Sequence, residues 1–231
     1  MEFLSGLLDG VTLGSPIGFL IKNKNAQSKD YDQLKDLFRP SHADFTYDKK
    51  YGIRDYRGGG RASARETVNW IVGGAIASQI LKTKKISISS YVSAIGDISI
   101  DLEMNNFNLD DIYKNNIRCP IDSVAKKMEQ LILKCKADGD TVGGKVSTVI
   151  KGLPIGFGEP IFNKLQASIA RSIMSINACK GIEFGLGFKS SEKRGSEAND
   201  IFTLNEKNEI CTKTNYSGGI LGGISNGNDV C

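Results

Sequence analysis

The run KISISSYVSAIGDISIDLE, residues 85–103, alternates partly at period two, the pattern of one or two strands with a face turned to a core. Helical patterns stand on either side of it. Upstream, Ser63 and Glu66 in SARE have the S-x-x-E spacing of a capping box. Behind them Val68, Ile71, Val72, Ala75, Ile76 and Ile80 recur at helical spacing, which predicts a helix with one apolar face. Gly73-Gly74 inside it costs about 1 kcal/mol per glycine relative to alanine, and such a pair suggests close packing against another helix. Downstream, residues 122–136 place Val124, Met128, Leu131, Ile132 and Cys135 on one side of a second helix. KVSTVIKGLPIG (145–156) reads as a strand ending in a turn, and Pro160 opens a third helix with Ile161, Leu165, Ile169 and Ile173 as its apolar row. Strands interrupted by long helices, with several hairpin-like pairs, favour an α+β fold over a doubly wound parallel sheet.

Farther out the signals shorten. Residues 3–11 read as a strand and turn, 16–23 as a second strand, and 25–40 as a polar, turn-rich stretch ending at Pro40. KGIEFGLGF (180–188) is a short strand candidate and SSEKRGSEAND (190–200) a polar loop. No short-period repeat and no low-complexity linker splits the chain, so a single domain over 1–231 is expected. Met1 leads almost directly into an apolar strand, and Val230-Cys231 follows the turn ISNGND where a strand should begin. Both ends therefore read as those of a fragment of a larger protein.

Composition narrows the class. The 231 residues are 40% hydrophobic and 24% charged, which excludes wholesale disorder. No run approaches the ~18 apolar residues of a membrane span, and Glu2 and Asp9 stand where a secretory signal would be basic. A cytoplasmic protein without a membrane partner is expected. The net charge of +4 is too mild to imply nucleic acid. None of the five cysteines has C-x-x-C spacing, so they are expected to be reduced and structural, with no metal.

Chemistry concentrates between residues 39 and 65. Arg39, Lys49, Lys50, Arg54, Arg57, Arg61 and Arg65 outweigh Asp44, Asp48 and Asp55 there, and His42, the one histidine of the chain, lies among them. A solvated basic loop is the plainer reading of such charges. The segment YGIRDYRGGGRASARET (51–67) argues for more. Three glycines allow close backbone approach, a capped helix start offers unpaired N–H groups to anions, and arginines add bidentate donors. No G-K-[ST] follows, and no G-x-G-x-x-G, so it is neither a Walker loop nor a dinucleotide fingerprint. An RGG-like grip on RNA, with stacking on Tyr51 and Tyr56, is the competing reading. His42, three residues after Arg39, is placed to move protons near neutrality, or is a structural histidine. The doubled glycines of NYSGGILGGISNG (215–227) either turn a corner or line a ligand plane.

These motifs together resemble a known family. RPSHADFTYDKKYGIRDYRGGGRASARET (39–67) resembles the core signature of chorismate synthase. The likeness continues, in the family's order, through TVGGKV (141–146), residues 153–188, RGSEAND (194–200) and GGILGGISNG (218–227). The resemblance implies a lyase of the shikimate pathway that converts 5-enolpyruvylshikimate 3-phosphate to chorismate and phosphate by 1,4-anti elimination, dependent on reduced FMN. It also implies helices packed between antiparallel sheets, and a homotetramer. The flavin is reduced by an external reductase or by NADPH in a bifunctional enzyme, and no insertion here has the look of a reductase.

Carried over by motif, the resemblance implies FMN contacts at Arg61, Ala62, Ser63, Asn177, Ala178 and Gly222. It implies a catalytic role for His42 in proton transfer at the reduced flavin, and substrate contacts at Arg39 and Arg65. The family's Gly-Glu-Ser-His-Gly, Lys-Pro-Thr-Ser and Arg-His-Asp segments have no counterpart in these residues. Within the match Trp70 replaces an expected Arg, and Asn163 and Gln166 replace a common Asp. An inactive remnant that keeps structural or oligomerising surfaces is the alternative.

Overall fold

The computed structural model describes residues 1–24, 27–57, 63–100 and 107–231. The chain divides into two compact units, Met1–Trp70 and Ile71–Cys231.

In the N-terminal unit, β1 (Glu2–Ser5) pairs antiparallel with β4 (Gly18–Leu20), while β2 (Leu7–Leu8) and β3 (Val11–Thr12) form a hairpin between them. Asp9-Gly10 is the two-residue turn that such a hairpin favours. Ser5 closes the loop, its hydroxyl donating to the Pro16 carbonyl at 3.0 Å and accepting from the Gly18 amide at 3.1 Å. A 3-10 helix, Ser28–Leu34, leads to α1 (Asp44–Tyr51). Ser63 caps the next helical start: its Oγ accepts from the Arg65 amide at 3.3 Å, and a 3-10 turn, Ala64–Glu66, runs into α2 (Thr67–Thr83).

The C-terminal unit is built on the sheet whose strand order is β6-β5-β7, with β5 at Ser87–Ile95, β6 at Ile98–Ser99 and β7 at Gly144–Lys151. β5 and β7 run antiparallel from Ser87↔Lys151 to Ile95↔Gly144, with one irregularity between Val92 and Ala94. Helix α3 (Asp122–Ala137) packs on this sheet. Its fully buried Met128 joins Tyr91, Ile100, Ile112, Cys119 and Ala125 in the core, and the Tyr91 and Phe107 rings meet edge to face at 5.2 Å. Beyond β7 come α4 (Leu165–Ile173), the single turn α5 (Gly195–Ala198), the hairpin β8 (Phe202–Leu204)–β9 (Ile210–Thr212), and the hairpin β10 (Ile220–Leu221)–β11 (Ile224–Ser225). Ile150 and Val230 exchange backbone hydrogen bonds of 2.8 and 3.0 Å, which fastens the last residues to β7. Short antiparallel sheets with interspersed helices make this an α+β fold.

The strand expected over 85–103 forms as β5 and β6, and its end, 101–103, lies outside the described residues. Three expectations are corrected. The third helix starts at Leu165 rather than Pro160, because Ile161 takes φ +69°, a left-handed backbone that no right-handed helix accommodates. Residues 180–188 form no strand, since Gly185 and Gly187 turn the chain and a 3-10 helix, Gly187–Glu192, follows. Helix α2 forms as its periodicity predicts, yet its apolar row is open: Ile71 is 70% and Ile80 61% exposed, and a Cβ at Gly73 or Gly74 would meet nothing within 4 Å. Periodicity reports which face can be buried, and it carries no information on whether a partner is at hand. All five thiols are free.

Candidate functional site

The densest polar cluster of the N-terminal unit grows from a tight turn. The His42 amide donates to the Arg39 carbonyl at 3.2 Å, with Pro40 second and Ser41 at φ +57° third. This is a type II turn with serine where glycine is usual, a position at which strain is stored. The turn brings Arg39 and His42 to the start of α1, whose first residue is Asp44.

Asp44 is only 5% exposed, so its charge needs partners. Its Oδ2 accepts from the Arg39 backbone amide at 3.2 Å and from Arg39 Nε at 2.8 Å, while Oδ1 accepts from Arg39 Nη2 at 3.0 Å. Arg39 is thus forked on the carboxylate. Arg54 reaches the same group, with Nη1 2.9 Å from Oδ1. That contact is one of charge and proximity rather than a directed bond, for Nη1 has no hydrogen-bond partner. Nη2 of Arg54 instead donates to the Leu34, Lys35 and Leu37 carbonyls at 2.8, 2.7 and 2.6 Å, and the guanidinium lies over the Phe38 ring. Hydrogen bonds from Arg39 hold the Asp44 carboxyl well below the usual carboxylate range, against the upward pull of burial. The same bonds raise Arg39 above its ordinary value.

His42 stands at the open side of this cluster, its side chain 30% exposed. Its Nδ1 lies 3.2 Å from Arg39 Nη2, within hydrogen-bond distance with the role of the ring nitrogen set by its tautomer, and 3.0 Å from Asp44 Oδ1. Nε2 has no hydrogen-bond partner among the described residues. A half-exposed imidazole with one ring nitrogen anchored can present the other to a bound group.

In the C-terminal unit the glycine-rich stretch makes the β10–β11 hairpin. Gly222 and Gly223, at φ +62° and +98°, form its two-residue turn, a conformation that costs other residues strain. A Cβ at Gly222 would meet nothing within 4 Å, leaving its backbone open to a ligand plane. Gly223 is enclosed: its carbonyl accepts from the Leu165 amide at 2.7 Å at the start of α4 and crowds Gly158. Buried Ser225 clasps the Pro154 segment, donating to the Pro154 carbonyl at 2.6 Å and accepting from the Phe157 amide at 2.9 Å. Asp200 fixes the other flank, accepting from Thr214 Oγ1 at 2.6 Å and from the Tyr216 and Ser217 amides at 2.7 and 2.8 Å. Burial pushes its carboxyl up, but these hydrogen bonds together outweigh burial and hold it below the ordinary value.

Asn177 and Ala178 occupy the middle of a turn closed by the Cys179 amide on the Ile176 carbonyl at 3.2 Å, with Ala178 at φ +62°. This turn repeats the device seen at Ser41, a non-glycine residue held left-handed at the third position. Ser63 caps the 3-10 turn that carries Arg65, and Arg65 is exposed with no ion pair among the described residues. Arg61 and Ala62 lie outside the described residues, as do the glycines 58–60. Among the described candidates, Arg39 and His42 are brought into side-chain contact, within the N-terminal unit. Sequence reasoning missed Asp44 and Arg54 as the organisers of this cluster. The available signal was an acid at a helix start just after a proline-led turn, in an arginine-rich segment.

No group of three or more His, Cys, Asp or Glu side chains that could hold a metal ion occurs among the described residues. Nor is any helix among them long and apolar enough to cross a membrane.

Comparison with known proteins gives a consistent result. A family model described as chorismate synthase matches residues 1–231. A protein of Phocaeicola vulgatus named chorismate synthase is 54% identical over 230 residues, covering 100% of this chain and 64% of that protein. One of Christiangramia forsetii is 53% identical over the same length, covering 63% of its own. A crystal structure of chorismate synthase superposes with a TM-score of 0.83 at 30% identity, covering 99% of this chain and 68% of that one. The chain thus spans just under two thirds of the length of these curated relatives.

Proposed function

Because the chain belongs to the chorismate synthase family, we propose that it carries the central part of a site that eliminates phosphate from 5-enolpyruvylshikimate 3-phosphate to give chorismate, with reduced FMN as cofactor. The observation that carries this reading is the Arg39–His42–Asp44–Arg54 cluster: an imidazole with one free nitrogen, beside arginines, on a buried and fully partnered carboxylate.

Features within each unit suit a phosphate-bearing planar group: in the N-terminal unit the Ser63-capped turn offers a helical start and carries Arg65, exposed and without an ion pair among the described residues. In the C-terminal unit Gly222 leaves open backbone. From the family resemblance we assign flavin contacts to Arg61, Ala62, Ser63, Asn177, Ala178 and Gly222. Reduced FMN, when bound, would supply electron density for C–O cleavage and a basic position for the proton lost from C6. The role we assign to His42 is to hold or move a proton at Nε2. Arg65, and Arg39 through the Nη1 that Asp44 does not engage, hold the substrate's anionic groups. A homotetramer, a cytoplasmic setting and one domain over 1–231 belong to the same proposal. The RNA-gripping alternative rests on residues 57–61, of which 58–61 lie outside the described ones, and nothing in the comparisons favours it.

The test is an anaerobic assay of phosphate release and chorismate formation with reduced FMN. Wild type should form chorismate, and His42→Ala should lower the rate by about 10²–10⁴-fold, the usual contribution of one proton-transferring group. Absence of chorismate from wild type, or an unchanged rate in the variant, would contradict the proposal.

A further inference from the structure

His42 Nδ1 has two neighbours that ask opposite things of it. Arg39 Nη2, at 3.2 Å, is a donor, and a guanidinium has no acceptor, so this bond requires a lone pair on Nδ1. Asp44 Oδ1, at 3.0 Å, is an acceptor and would welcome a proton there. The carboxylate, however, is already served by Arg39 through its backbone amide, Nε and Nη2, and is neutralised further by Arg54. With its lone pairs so engaged, the carboxylate has less need of a proton from Nδ1 than Arg39 Nη2 has of a lone pair there. Nη2 lies 3.0 Å from Oδ1 and 3.2 Å from Nδ1, so one guanidinium nitrogen lies against both carboxylate and imidazole.

We propose that Arg39 is a positioning residue for His42, holding the neutral ring in the tautomer that carries its proton on Nε2. His42 then meets its ligand as an N–H donor, suited to an electron-rich or anionic acceptor, and takes up no proton at Nε2 while neutral. Asp44 acts on His42 through Arg39, by fixing the fork of the guanidinium, and Arg54 acts one step further out, by anchoring Asp44 to the turn after the 3-10 helix. The catalytic use of Nε2 rests on the function proposed above. The tautomer does not, because it is set by residues of the chain alone.

The experiment is a long-range ¹H–¹⁵N correlation spectrum of the uniformly ¹⁵N-labelled chain, without flavin or substrate, at a pH where the ring is neutral. With one histidine in 231 residues, the imidazole signals have one possible origin. Wild type should show Nε2 protonated and Nδ1 as the bare, pyridine-type nitrogen. In Arg39→Met the donor is gone and Asp44 remains, so the proton should move to Nδ1. Nδ1 protonated in wild type overturns the proposal, and so does a folded Arg39→Met chain that keeps the wild-type pattern. The wild-type spectrum decides the first point even if the variant does not fold. A wild-type spectrum as expected from a chain that forms no chorismate would uphold the positioning role while removing the functional reading.

Discussion

Asp44 shows how much one side chain can organise. Its carboxylate, buried at the first position of α1, fixes Arg39, lies against His42 and neutralises Arg54, whose side chain is 9% exposed. Asp44→Ala would leave that buried guanidinium without its counter-charge, and should cost about 3–5 kcal/mol in urea unfolding. The pH dependence has a definite sign. Arg39 holds the folded-state carboxyl below its ordinary value, so its stabilising contribution is complete above the unfolded-state value of about 4 and disappears as pH falls through the folded value. The unfolding free energy should therefore drop below about pH 4, and Asp44→Asn should remove that component. His42 and Arg39 were legible in the sequence as a histidine among arginines. Asp44 was not, because counting charges along the chain treats every acid alike, and only folding of the Pro40–Ser41 turn makes this one a buried acceptor.

At the scale of elements, glycine pairs separate into two kinds. Gly222-Gly223 was legible as a turn, and the structure adds that one of its residues is open and the other enclosed by Lys164 and Leu165. Gly222→Asn should be tolerated, because asparagine accepts positive φ in such turns. Gly222→Val should cost about 1–2 kcal/mol by thermal unfolding, through backbone strain alone. Equal stability of the two variants would mean that the turn relaxes. Gly73-Gly74, in contrast, suggested helix packing, yet among the described residues nothing lies within 4 Å of a Cβ at either position. Helix α3 was read to within a residue of its end, because its periodicity is strong and its apolar row, with Met128 buried and Val124, Leu131, Ile132 and Cys135 partly buried, faces the core. The start of α4 was misplaced by the left-handed Ile161, a conformation that no local sequence rule assigns to a β-branched residue.

Across the whole molecule, the segments that carry the family likeness are also those that grip one another in the C-terminal unit. Ser225 clasps 154–157, Asp200 clasps 214–217, and the Leu186 amide donates to the Tyr216 carbonyl at 2.9 Å. The motifs are therefore structural joints, whatever they also bind, which is why a resemblance spread over the chain could be read from short pieces of it. Burial was far less legible. Phe162, Phe188, Ile71 and Ile53 are each at least 70% exposed, in a chain spanning 64% of the Phocaeicola relative. Composition gave no sign of this, since 40% hydrophobic content is ordinary whether or not those side chains find partners. Arg65, exposed on its capped turn and without an ion pair among the described residues, is the residue on which the proposed function makes substrate and cofactor binding depend most.

The central claim, that this chain holds a flavin-dependent elimination site, is tested most directly by an anaerobic titration of reduced FMN followed by flavin absorbance, with and without 5-enolpyruvylshikimate 3-phosphate. The account predicts a saturable spectral change that tightens when substrate is present and weakens in Arg65→Ala. A folded chain whose addition leaves the reduced-flavin spectrum unchanged under both conditions would contradict it.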